Sequence, residues 1–296
     1  MRREISSQEL LVDLGQNDEF FMNLSEIEFR TVVHGKVHHS LEIQINHCLY
    51  TGAKMFPRRP VCCEHLLELW DRRGLSHDLP EYIFAKKMID MAYDYQDGKV
   101  TDLSEYATVR LTEEEQKRFE EIVAGLRPAE AFTDEEVSDE AIDSIIDSGL
   151  WAPNGGNLQP LRFLVIHEKN DPGLFRSSTS TNPQVHIVIA NDSEGMRGLR
   201  KKGGWKEEPG EEPFLRHRNT PLNCGAALQN MMLTARVWGL GSSMQTFAPG
   251  EAEAICRHYS LAPTVTLMTY IDIGHEALPA LPQSKVPQEK TVLYRF

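Results

Sequence analysis

Residues 132–166 read FTDEEVSDEAIDSIIDSGLWAPNGGNLQPLRFLVI, and the order of signals in them decides the fold. Ser138 followed by acids is a helix start, and Ile142, Ile145 and Ile146 then fall on one helical face. Pro153 stops that helix. The loop APNGGNLQP then leads onward. RFLVI (162–166) is a short apolar strand. A helix, a tight polar loop and a strand thus follow one another within 35 residues.

Outward from this stretch the alternation continues. Thr112 with Glu115 three residues on forms a capping box that opens the helix TEEEQKRFEEIVAGL. VHIVIA (185–190) is a second strand. Thr220-Pro221 opens a long helix, with proline in the first turn where its missing N–H costs nothing. That helix runs to Gly239. Ala252–His258 is a short helix and TVTLMTYIDIG (264–274) a strand. Helices interleaved with apolar strands give an α+β or α/β class. Residues 28–36 read as a strand, and 196–213 (MRGLRKKGGWKEEPGEEP) as a basic loop. CCEHLLELWDRR (62–73) and EYIFAKKMIDMAYDY (81–95) have helical spacing, with Gly74 at a helix end and a turn at Asp97-Gly98.

Three segments in order resemble the FMN-binding nitroreductase family: 132–166 with its AP-x-GGN-x-QP loop, NCGAALQNMMLTARVWGLGSSM (223–244), and TLMTYIDIGHE (266–276). The resemblance covers about residues 112–290. It implies a three-layer α-β-α fold with a central, mostly antiparallel sheet. It places a mainly helical N-terminal extension at 1–110 and the flavin domain at 111–296. It also implies an FMN-dependent oxidoreductase acting on a small organic molecule, a homodimer with FMN at the interface, and NADH or NADPH as donor if the enzyme is a reductase.

The residues fit that chemistry. A flavin ring needs a flat slot with amide partners along its pyrimidine edge. Asn154, Gly155, Gly156, Asn157 and Gln159 supply close backbone approach and amides that both donate and accept. By the resemblance, Ser243, Met244, Gln245 and Thr246 lie against the reactive ring nitrogen, and Arg127 and Lys285 reach the phosphate. No single catalytic side chain is nominated, because the redox chemistry belongs to the cofactor. The match departs at LRPAEAF (126–132), where Pro128 replaces a hydroxyl residue and Glu130 a base. A carboxylate near a phosphate is repulsive by about 1 kcal/mol at 4 Å in water. Arg295, Arg58 and Arg59 are substitute bases. About thirty residues separate VHIVIA from the central helix, so the usual cover of the site is short, and residues 1–110 are a candidate lid. The bases Arg197, Arg200, Lys201, Lys202 and Lys206 read as a solvated loop, with a nicotinamide phosphate as the functional alternative.

Composition excludes several classes. The net charge is −13, and residues 112–147 hold thirteen acids against three bases, which argues against nucleic-acid binding. No apolar run spans a membrane and no secretion signal is read, so a cytoplasmic location is expected. Five cysteines without framework spacing fit reduced thiols. His34, His38, His39, His47 and His65 with Cys48, Cys62 and Cys63 match no zinc spacing, so no metal is expected. Cys224, Trp151 and Trp238 read as packing residues. Two alternatives stay open: a divergent, non-catalytic or partner-dependent protein that has lost normal flavin binding, and a substrate-specific flavin oxidase or dehydrogenase of a biosynthetic pathway.

Overall fold

The computed structural model describes residues 5–99, 102–204 and 219–294. Lys206 and Arg295 lie outside them.

Residues 5–99 are mainly helical: α1 (Ser7–Leu14), α2 (Asp18–Met22), α3 (Glu26–Val37), a π-helical turn (His38–Glu42), α4 (Ile43–Thr51), α5 (Arg58–Arg72) and α6 (Pro80–Gln96). They enclose their own core, with Phe21, Phe29, Leu41, Leu66, Trp70 and Ile89 all at most 1% exposed. The segment 28–36, read as a strand, is helix α3. Its β-branched residues favour a strand. The Ser25–Glu28 capping box nucleates a helix instead, and Phe29, Val32 and Val33 then bury on one helical face.

Then follow α7 (Glu113–Gly125), α8 (Asp139–Leu150), β1 (Leu161–His167), β2 (Val185–Asp192), α9 (Glu194–Lys202), α10 (Asn219–Val237), β3 (Gly241–Gln245), α11 (Glu251–His258), β4 (Val265–Gly274) and α12 (Gln288–Thr291). The sheet order is β1-β2-β4-β3, every pair antiparallel. β2 is buried throughout and feeds both faces. Val185, Ile187 and Ile189 meet Ile142, Ile145 and Met231 of α8 and α10. Val188 and Ala190 meet Ile255 of α11 and Phe175 on the other side. The result is α+β in three layers, as the alternation of apolar strand residues requires.

Part of the expected basic loop is helix α9, and it joins the two halves of the chain. Its glycines allow close packing on α3: a Cβ on Gly198 would lie 2.7 Å from the Glu28 carbonyl oxygen. Ser25 Oγ donates to Glu194 Oε1 (2.7 Å), Gln16 Nε2 to the Lys202 carbonyl (3.1 Å), and Lys201 pairs with Glu28. Leu199 packs against the helical core.

Candidate flavin site

The 154–159 loop is held in one shape from several sides. Asn154 Oδ1 accepts from the Gln159 N–H (2.9 Å), and the Asn154 carbonyl accepts from the Asn157 N–H (3.0 Å). Asn223 Oδ1, in the second turn of α10, accepts from the Gly155 N–H (3.1 Å). Arg162 Nη1 donates to the carbonyls of Gln159 (3.0 Å) and Leu161 (2.8 Å). Gly156, Asn157 and Gln159 have φ of 63°, 49° and 49°, so three of four successive residues are left-handed. Such backbone costs free energy for non-glycine residues and persists only where its surroundings fix it.

One of those fixings comes from the N-terminal helices, and a second residue there borders the loop. A Cβ on Gly35 would sit 3.5 Å from Leu158 Cδ2, so Leu158 docks on α3 at a position open enough to receive it. A Cβ on Gly156 would sit 3.9 Å from His39 Nε2. Partial desolvation, with the nearby charges of His38 and Lys202, lowers the His39 imidazole pKa from its usual value.

With Asn154 spent inside the loop, the exposed side chains left for a ligand are the amides of Asn157 and Gln159. This donor set and the glycine backbone fit the edge of a planar heterocycle.

The residues of β3 divide by the pleat. Ser243 and Gln245 point inward. Gln245 Oε1 accepts from the Thr179 N–H and Oγ1, and its Nε2 donates to Ser180 and Ser243 Oγ, so both side chains are structural. Met244 and Thr246 are exposed. The Ala129 N–H donates to the Ser242 carbonyl (3.0 Å) on the side of β3 away from β4. Strand backbone groups alternate, so those of Met244 face the same open side. Arg127 stands beside this edge through the Pro128–Ser242 bridge. Its Nη1 folds onto the carbonyls of Ala124 (2.6 Å) and Leu126 (2.8 Å). Glu130 is exposed, and Lys285 bonds only Gln283 in the tail, at 3.4 Å, among the described residues. Arg58 is exposed, and Arg59 Nη1 donates to the Ser40 carbonyl (3.5 Å).

The loop and the β3 edge therefore belong to opposite edges of the sheet. Leu161, at the loop's exit, starts the β1 edge, and three strand spacings of roughly 5 Å each separate it from β3. Asn223, Arg162 and His39 carry no loop-like signal in the sequence; only the Asn219/Asn223 pair at helical spacing before an alanine-rich run could have marked α10's start as a loop partner.

Other sequence readings resolve here as well. Burial pushes the thiols of Cys62 and Cys63 up to about 12 and that of Cys224 up to about 11. Trp151, expected in the core, is 86% exposed, because α8 ends at Leu150 and turns it outward. Trp238 is 40% exposed and donates from Nε1 to Ser144 Oγ (2.9 Å).

Comparison with known proteins bears on the fold. Residues 130–275 match the model of the Nitroreductase family. This part of the chain belongs to that family. An Archaeoglobus fulgidus protein named as an NADH dehydrogenase/NAD(P)H nitroreductase is 22% identical over 156 residues, covering 50% of this chain and 80% of its own. The hypothetical oxidoreductase YcnD of Bacillus subtilis shares the fold, with a TM-score of 0.52 and 19% identity, over 60% of this chain and 74% of that one. A Desulfovibrio desulfuricans nitroreductase in complex with FMN matches 60% of this chain and 96% of its own, at 27% identity and a TM-score of 0.49. These matches leave the N-terminal helices uncovered by the family model.

Proposed function

We propose that this nitroreductase-family chain is an FMN-dependent oxidoreductase acting on a small organic molecule as a homodimer. In this reading residues 111–296 form the flavin domain. One copy's 154–159 loop faces the β3 edge and Arg127 of the other. The observation that carries the reading is the loop itself: a left-handed, externally braced turn that offers the Asn157 and Gln159 amides beside glycine backbone. Rigid polar groups aimed at a site lower the ordering cost of binding. FMN, when bound, accepts and passes on a hydride.

The protein's own part is to bind, orient and exclude water. The Met244 backbone, on the open β3 edge, is placed to meet the ring. Arg127 supplies positive charge on the same edge, with the exposed Glu130 turned to solvent. The dimer is supported by two further features. The loop and β3 lie at opposite sheet edges, and apolar side chains are exposed near both, including Leu150, Trp151, Leu222 and Val237. Helix α7 has no buried residue, with Phe119 54% exposed.

The test is the absorption spectrum of the protein purified in the presence of FMN. A flavin spectrum that bleaches on adding NADH or NADPH is the expected result and identifies a reductase. A flavin spectrum inert to both identifies an oxidase or dehydrogenase reduced by its own substrate. A second reading, a family member without flavin, draws on Arg127, whose Nη1 is turned onto its own backbone. A protein that stays colourless after reconstitution supports it.

A further inference from the structure

The helical region 5–99 lies outside the matched family segment, yet it touches the loop on which the proposed flavin site rests. We propose that His39 of this region contacts the pyrimidine edge of a flavin bound at the 154–159 loop, making the N-terminal extension part of the cofactor site. The inference rests on the flavin reading given above and goes beyond it, because it assigns a residue outside the family segment.

Three observations place His39 there. Its Nε2 lies 3.9 Å from where a Gly156 side chain would begin, so the imidazole borders the space that a ligand against Gly156 would enter. The placement is built rather than incidental. His39 sits in the π-helical turn, a wide turn that shifts the helical face by one residue and recurs at functional sites. Its neighbour His38 is anchored by Glu42 (Nδ1 to Oε2, 2.7 Å) and packs edge-on against the His39 ring at 4.9 Å. One turn earlier, Leu158 docks at Gly35, so loop and helix cannot drift apart independently. Finally, the His39 ring is exposed and has no hydrogen-bond partner among the described residues, whereas His34 before it is buried and His38 is held by Glu42. An imidazole nitrogen either donates or accepts according to the tautomer, so it can meet either kind of group on a ring edge that alternates carbonyl oxygens and nitrogens.

The experiment compares the wild-type chain with His39→Ala and His39→Gln. Each is titrated with FMN, and the absorption bands and reduction potential of the bound flavin are recorded. His39→Ala is expected to weaken FMN binding by about fivefold, the loss of one neutral hydrogen bond, and to move both the bands and the potential. His39→Gln, which keeps a donor and an acceptor, is expected to recover part of each. Thermal unfolding without FMN should be unchanged in both variants, since the ring is exposed. Wild-type and variant chains that bind FMN with the same affinity, bands and potential would overturn the inference and leave the flavin reading standing. A wild-type chain that takes up no FMN would overturn both.

Discussion

Gly156 holds φ at 63°, a value that a side chain adopts only at a cost of about 1–2 kcal/mol. Gly156→Ala is therefore expected to lower unfolding stability by that amount and to weaken FMN binding, as read by denaturant titration and by flavin fluorescence. An unchanged midpoint and affinity would mean that the loop relaxes freely. At the same scale, Cys62 and Cys63 are both buried and their thiols are pushed up to about 12. The folded protein should react with a thiol reagent at these positions only as fast as it opens, with a burst on denaturation. The loop was legible as a loop, because Pro153 stops the helix before it and its asparagines and glycines suit a turn. Its supports were not. Asn223 and His39 become loop partners only when chain segments 68 and 117 positions apart in sequence are brought together, and Arg162 only by folding back three residues onto the Gln159 carbonyl.

Helices α3 and α9 show what local pattern misses. Thr31, Val32 and Val33 gave 28–36 a strand-like composition, and a capping box with a buried helical face overrode it. Gly198 and a run of bases made 196–202 look like a loop, but Gly198, like Gly195 before it, leaves room for α3 to lie against it. Gly198→Ala should force α9 away from the Glu28 backbone, at about 1–3 kcal/mol, visible as a lowered melting temperature.

Helix α3 also carries a pH dependence. His34 is 5% exposed, its Nε2 has no partner among the described residues, and its ring stacks on Phe84 at 4.8 Å. Burial lowers its pKa; His38 adds to the shift, while Glu81 and Glu42 oppose it. The folded value thus lies below the unfolded value of about 6.5. Both states are neutral above that pH, so this term changes nothing there. As pH falls below it the unfolded state binds the proton first, and stability is lost at up to about 1.4 kcal/mol per pH unit. His34→Leu should flatten the dependence of the unfolding midpoint between pH 7 and 5.

At the scale of the whole molecule, the sheet and its helical layers were legible from the 132–166 stretch and the two later strands, because apolar alternation and capping signals agree there. The docking of the N-terminal helices was not legible, since it depends on the shape of α9 and not on a motif. The quaternary expectation belongs to this scale as well. Light scattering should give twice the 33.6 kDa chain mass, and Trp151→Glu, which places a charge in an exposed apolar region, should shift the protein towards the monomer. A wild-type monomer at micromolar concentration would separate the two halves of the proposed slot.

The central claim is that flavin sits between the 154–159 loop and the β3 edge. Hydrogen–deuterium exchange of the full chain with and without FMN tests it most directly. The account predicts slowed exchange in peptides spanning residues 153–160 and 242–246 when FMN is added. FMN uptake that leaves both segments exchanging as before would contradict it.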